Sequence, residues 1–244
     1  MSLAALIIGN EVLSAKVTEA NGALLIQRCR EVGVAVTSVH LVLDDIDAII
    51  EALMLAKRRS RWVITSGGIG PTHDDVTVRA VALSLGRRVV QIPEMTQLIR
   101  AAYDGEVVPA AAMRLSEGPE GSRLHADPTL RFPVLECENI FMLPGVPQLF
   151  RLQLEVVLRG LEGSPVSLRT MYLNASESDI AAVLDRVALA RPDVSIGSYP
   201  TFDPADEYRV KLTIEHAELE QVMQVVERLT KELPSGSILR HGER

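Results

Sequence analysis

Along the first 160 positions, apolar residues fall into runs that alternate between strand spacing and helix spacing. Leu3–Ile8 is an unbroken apolar run, the mark of a strand buried on both faces. Leu24, Leu25, Arg28, Cys29 and Val32 then recur at helical spacing, and Gly33 closes that helix. Residues 34–43 read as a strand, and Asp44 caps a helix carrying Ile46, Ile49, Ile50 and Leu53. A strand over 61–65 leads into a glycine-rich turn, after which Val78, Val81, Ala82 and Leu85 form an i, i+3, i+4, i+7 stripe. A short strand (88–91) and a helix (94–102) follow. Residues 104–130 lose periodicity and collect Gly, Pro, Ala and Ser, so they read as a long loop with room for one short helix. Strands over 132–135 and 140–143 join through a tight turn at Glu138-Asn139, and a helix with Leu149, Leu152, Val156 and Val157 completes the pattern. This alternation predicts an α/β fold, a mostly parallel sheet sandwiched by helices.

The pattern changes after residues 161–165, "LEGSP", which read as a linker. A strand over 168–173 is followed by a capping box, Ser176 with Asp179, and by a helix bearing Ile180, Val183, Leu184 and Val187. Strands over 194–199 and 208–214 flank the polar loop "TFDPADE", and a last helix carries Leu219, Val222, Met223, Val226 and Leu229. A small α+β domain (βαββα) is expected there. The predicted domains are 1–162 and 166–244.

Composition narrows the classes. The chain has 244 residues, 47% of them hydrophobic, enough for buried cores. Its net charge is −7 and it has no long Lys/Arg block, which argues against a nucleic-acid footprint. No run reaches membrane-spanning length and the N-terminus lacks a basic flank, so no membrane partner and a cytoplasmic location are expected. Cys29 and Cys137 lie in apolar surroundings without metal-cluster spacing.

Ligands of open parallel sheets bind beyond the carboxyl ends of the strands. Three predicted strand exits carry unusual residues: Gly9-Asn10-Glu11, the stretch 66–75 (Ser-Gly-Gly-Ile-Gly-Pro-Thr-His-Asp-Asp) and Pro144-Gly145-Val146-Pro147. Gly67, Gly68 and Gly70 permit close backbone approach, and free N–H groups feeding a helix N-terminus form a cradle for phosphate; a plain turn has the same composition. Asp74 and Asp75 are the sharper feature. One caps the following helix; the second is a surplus. Beside an anion cradle it would repel phosphate unless a cation lies between, which points to a hard divalent ion (Mg, Mn or Co) held by Asp74 and Asp75 and by ligand phosphate oxygens. Glu11 is a further ligand, a base for water, or a solvated strand-end residue. The candidate ligand-binding set is Gly67, Gly68, Gly70, Thr72, Thr77, Asn21, Pro144, Gly145 and Arg123; the catalytic set is Asp74, Asp75 and Glu11. Asn21 contacts the ligand or caps the first helix. Arg123 and His125 reach over the site or lie on the surface, and His73 is a contact or a solvated loop residue.

"GNEVL", Asn21, "GGIGPTHDDVT" and "LPGVP", in this order, resemble the molybdopterin-binding-like domain found in molybdopterin adenylyltransferases, in the competence/damage-inducible protein A family and at the N-terminus of animal-type FAD synthases. "SRLHADP…RFPVLECENIFMLPGVP" and "IGSYP…YRVKLTI" look similar to the FAD synthase version. The resemblance covers the chain and implies a site for a pterin or an adenine-nucleotide pyrophosphate and a homo-oligomer. In two branches it implies metal-dependent hydrolysis of FAD or ADP-ribose, and in the third adenylylation of molybdopterin. That third branch typically has arginine where this chain has Asp74, so the hydrolase reading is favoured. Asp75, Gly67, Gly68, Gly70 and Thr77 match positions shared by all branches. Asn10, Ala15 and Ala20 depart from the usual pattern. No FAD-synthesising segment is expected in the chain. The expected activity is therefore hydrolysis of a dinucleotide pyrophosphate. The alternatives are molybdopterin adenylylation and a non-catalytic nucleotide- or pterin-binding module.

Overall fold

The structure, a computed structural model, describes residues 2–104, 106–161, 163 and 165–242. The chain divides into two compact units, Met1–Gly163 and Ser164–Arg244. Of the predicted linker, Glu162 and Ser164 lie outside the described residues, as does Gly105 of the predicted loop.

The first unit runs β1 (Ser2–Ile8), α1 (Asn10–Leu13), α2 (Asn21–Glu31), β2 (Ala35–Val42), α3 (Ile46–Lys57), β3 (Trp62–Ser66), α4 (Thr77–Ser84), β4 (Val89–Gln91), α5 (Pro93–Ala102) and α6 (Ala110–Met113). It continues through a 3-10 turn (Arg114–Ser116), β5 (Glu117–Pro119), β6 (Arg123–His125), β7 (Val134–Cys137), β8 (Ile140–Leu143) and α7 (Pro147–Arg159). Six strands form one sheet in the order β2-β1-β3-β8-β7-β6. The pairs β1–β2, β1–β3 and β3–β8 are parallel, and β7–β8 and β6–β7 antiparallel. The mostly parallel α/β architecture follows from the apolar runs. In β1, Ala4, Leu6 and Ile8 join the core beneath α3 and α4, while Leu3 and Ala5 join the core beneath α2 and α7. A strand with both faces covered has no polar side, which is why its residues form an unbroken run.

Two local readings are corrected. Residues 104–130 hold the one short helix expected there, α6, but the rest is not a plain loop: it includes the 3-10 turn, β5 paired with β4, and β6 added to the main sheet. Asp44 does not cap α3; Asp45 does, accepting the Ala48 N–H at 2.9 Å. The exit of β1 at Gly9-Asn10-Glu11 turns through α1. Both cysteines are free and buried, and burial pushes the Cys29 thiol up to about 12, so it has little thiolate character at neutral pH.

The second unit runs β9 (Ser167–Leu173), α8 (Glu177–Ala190), β10 (Ser195–Pro200), β11 (Val210–His216), α9 (Leu219–Glu232) and β12 (Ile238–Gly242). The predicted capping box at Ser176 and Asp179 opens α8. The last strand extends the expected βαββα pattern to βαββαβ, giving an antiparallel sheet in the order β10-β11-β9-β12. Among the described residues, no helix is long and apolar enough to cross a membrane.

Candidate functional site

Because β1, β2, β3 and β8 are mutually parallel, their exits lie on one edge of the sheet. Backbone contacts draw these exits together. The Gly9 N–H donates to Val42 O and the Gly67 N–H to Leu143 O, each at 3.0 Å. Gly67 has φ of 103° and lies so close to β1 that a Cβ would run into the Ile8 carbonyl oxygen. A Cβ on Gly145 would in turn stand 3.3 Å from Gly67 Cα. These glycines are therefore demanded by close packing of three exits, independently of any ligand. Gly68, with φ of 65°, faces Thr77. Thr77 is fully buried; its hydroxyl donates to Gly67 O and its N–H to Gly68 O, both at 2.9 Å. Thr77 thus holds the turn from behind. Among the described residues, the N–H groups of Gly68, Ile69 and Gly70 take no hydrogen-bond partner.

Glu11, Asp44, Asp74 and Asp75 line one cavity of about 600 Å³ at this edge. The structure removes the capping role for the aspartate pair: α4 starts at Thr77, with Val76 at its N-cap and no side-chain cap. Both aspartates fold back onto Thr72 instead. The Thr72 hydroxyl lies 2.6 Å from Asp74 Oδ1 and 2.5 Å from Asp75 Oδ2, and the Thr72 N–H donates to Asp75 Oδ2 at 2.7 Å. One hydroxyl proton serves one carboxylate at a time, so the pair holds more negative charge than the turn neutralises. The Thr72 hydroxyl, aided by the backbone at Asp74 and by His73, holds the Asp74 carboxyl below the usual range.

Asp44 behaves oppositely. Burial raises its carboxyl above the usual range, and the charges of Glu11, Asp74 and Asp75 add to the rise against the opposing hydrogen bond from Asn10. That bond is half of a reciprocal pair: the Asn10 N–H donates to Asp44 Oδ2 at 2.7 Å, and the Asp44 N–H to Asn10 Oδ1 at 3.3 Å. Among the described residues no group of three His, Cys, Asp or Glu is arranged to hold a metal ion unaided. The donors at the edge are all hard carboxylate oxygens with mutual repulsion to relieve. This set fits a hard divalent ion that completes its shell with ligand oxygens, rather than one caged by protein alone.

The remaining candidates divide. Pro144 and Gly145 line the cavity with Gly67, Gly68 and Gly70. Asn21 neither caps α2, whose N-cap is Ala20, nor lines the cavity. It is buried and donates to Ser66 Oγ at 2.9 Å and to Gly145 O at 2.8 Å, joining α2 to the exits of β3 and β8, while its Oδ1 is buried without a partner. Thr72 and Thr77 shape the turn without lining the cavity. Arg123 does not reach over the site; it is exposed on β6, opposite Glu136. His125 is likewise elsewhere, 2.8 Å from the buried Glu136, and the His73 side chain is 97% exposed. Sequence reasoning missed Asp44, Arg114 and Gln153, all on the cavity wall. A signal for Asp44 existed: Asp44-Asp45 is a second adjacent pair of which only one member caps. Beyond the acidic edge the wall turns apolar, with Met95, Phe132, Leu135, Met142 and Leu149.

Residues 4–163 match the family described as the probable molybdopterin binding domain, and residues 165–241 the FAD synthase middle domain. A protein of Archaeoglobus fulgidus is 29% identical, over 86% of this chain and 94% of its own length. A probable FAD synthase of Caenorhabditis elegans is 31% identical over 97% of this chain, which spans 50% of that protein's length. The crystal structure of the protein CinA from Thermoplasma acidophilum, of unknown function, superposes with a TM-score of 0.61 at 26% identity, over 65% of this chain and 96% of that one. With the mostly parallel sheet, the glycine turn and the paired aspartates in their expected order, the chain belongs to the family of probable molybdopterin binding domains, joined here to a segment like the middle domain of FAD synthase.

Proposed function

We propose that the first unit binds a nucleotide diphosphate of the FAD or ADP-ribose type and hydrolyses its pyrophosphate bond with the help of a divalent ion (Mg, Mn or Co) between the ligand and Asp74 and Asp75. The observation that carries this reading is one cavity in which unpartnered N–H groups at Gly68–Gly70 meet four carboxylates at one end and an apolar wall at the other. A ligand with a polar phosphate end and a flat ring suits both. An anionic ligand enters so acidic a site only with a cation.

When bound, the ion would neutralise charge on the phosphate oxygens. The chain's own groups do the rest. The Gly68–Gly70 N–H groups hold a phosphoryl oxygen as charge builds on it. Water adds to one phosphorus while the bridging P–O bond breaks, its electron pair leaving with the other phosphate. Asp44 Oδ1 takes the proton from that water, since its Oδ2 is engaged by Asn10 and its carboxyl already lies above the usual range. Glu11 keeps the negative field on which cation binding depends.

A second reading, binding or adenylylation of molybdopterin, draws on the family match over residues 4–163. The nematode relatives are named for FAD synthesis, but this chain spans half their length, so synthesis does not transfer from that name. One experiment separates the readings. Full-length protein is incubated with FAD, with ADP-ribose, and with ATP plus molybdopterin, across magnesium, manganese and cobalt. Metal-dependent release of AMP from FAD or ADP-ribose supports hydrolysis. Adenylylated molybdopterin supports the second reading, and no turnover of any substrate rejects both enzymatic readings.

A further inference from the structure

We infer that Arg114 is the anion-recognising residue of the cavity and makes it selective for a diphosphate over a monophosphate; the inference rests on the function proposed above. Arg114 is the one cation among the described residues of the cavity wall, alongside five carboxylates: Glu11, Asp44, Asp74, Asp75 and Glu117. It forms no ion pair with any of them. The one hydrogen bond of its side chain among the described residues runs from Nη1 to Pro71 O, at 3.4 Å. Pro71 directly follows Gly70, so the guanidinium stands against the turn whose N–H groups are unpartnered.

The segment that carries Arg114 is fixed. Ser116 is fully buried and its hydroxyl donates to Met113 O at 2.7 Å; its carbonyl accepts the Ile92 N–H at 2.8 Å, and β5 pairs with β4 immediately after. A cation anchored beside acids yet paired with none keeps its donors free for another anion. A guanidinium fork matches two phosphate oxygens at once, which an ammonium does not. Two phosphates in sequence satisfy both demands of the cavity: one lies at the aspartates with its cation, the next at Arg114. A single phosphate meets only one of them.

The test is calorimetric titration of the full chain with ADP and with AMP in magnesium. It uses the parent, Arg114→Ala, Arg114→Lys, and Arg100→Ala as a control of equal charge on an exposed part of α5 away from the cavity. The parent is expected to bind ADP more tightly than AMP. Arg114→Ala should lose about tenfold or more in ADP affinity, the loss expected for a charged hydrogen bond, and most of its preference over AMP. Arg114→Lys should fall between, and Arg100→Ala should match the parent. If Arg114→Ala keeps the parent's affinity and preference, the assignment of Arg114 is overturned while the proposed function stands. If the parent binds neither nucleotide, the proposed function fails and Arg114 loses its role with it.

Discussion

Asp44 and Asp45 repeat, at the exit of β2, what Asp74 and Asp75 do after the glycine turn: two adjacent carboxylates where local structure needs at most one. Asp45 caps α3, so Asp44 is free to face the cavity. Its placement opposes folding. Burial and three like charges raise its carboxyl, so the protonated form is favoured in the folded state. The stability tied to that proton is present at low pH and lost as pH rises through the folded-state value. Asp44→Asn keeps an acceptor for the Asn10 N–H and removes the charge. Its thermal midpoint should therefore exceed the parent's at pH 7, and the gap should close as pH falls to about 4, the ordinary aspartate range. Turnover should fall by about 10²–10⁴-fold, the worth of a positioned base. A lower midpoint at pH 7 would make Asp44 a structural anchor and remove it from the chemistry. Asp74→Asn and Asp75→Asn part company in why they cost stability. Asp75 accepts from both the Thr72 N–H and the Thr72 hydroxyl, whereas Asp74 takes the hydroxyl with the help of its own backbone and of His73. Asp74→Asn should lower the midpoint slightly at pH 7, a gap that closes as pH falls through the depressed carboxyl value. Asp75→Asn should lower it slightly by weakening its two hydrogen bonds, and both should depress turnover by orders of magnitude or demand more metal. Wild-type turnover and metal dependence in both variants would reduce the pair to turn-forming residues.

Elements with many apolar positions were legible in the sequence, and those with few were not. β1, β3 and β8 are buried on both faces, and α3 carries a full stripe, so their hydrophobic spacing alone identifies them. The short β4 was readable from its Val89-Val90 pair, whereas strands β5 and β6, equally of three residues each, are too short for a period of two to show. They form because a partner strand lies alongside, which is tertiary information. The candidate site follows the same rule. Its glycines and Asp74-Asp75 are contiguous and were legible, whereas Arg114 comes from an aperiodic stretch and is brought to the turn by β4–β5 pairing. β12 also escaped notice, since Arg240, His241 and Gly242 interrupt any apolar pattern. It nevertheless covers one edge of β9, which pairs with β11 on its other side. Ending the chain at Pro234 would expose that edge, remove Ile238 from its place against the core and take away the Ser237 carbonyl that accepts the Asn174 N–H. The expected cost is about 2–4 kcal/mol from lost burial and edge hydrogen bonds, with self-association through the bared strand. Far-UV circular dichroism during urea unfolding, with light scattering, measures both; parent-like unfolding without association would make β12 dispensable.

At the scale of the whole molecule, the two units have separate cores. The two clusters of the first unit end at Met142 and at Leu161, and the cluster of the second begins at Met171. The cavity is lined entirely from the first unit, ending at Gln153. A fragment of residues 1–163 therefore holds a complete fold and the complete site, at an ordinary domain size. The position of the cut matters. Leu161 is buried against the α2–α7 core, and a Cβ at Gly163 would run into the Val32 carbonyl at the end of α2, so the chain must extend through Gly163. The single tryptophan makes the test clean. Trp62 is buried in the first unit, beneath the Arg61 guanidinium at 4.4 Å, so its fluorescence reports that unit alone. In the fragment, Trp62 fluorescence and far-UV circular dichroism should lose signal together in one cooperative step. Its midpoint should lie close to that of the tryptophan transition in the full chain, and ADP affinity in magnesium should match the full chain. A fragment that unfolds without cooperativity would show that residues beyond 163 complete its core. A fragment that folds normally but binds ADP more weakly would show that the second unit contributes to the ligand site.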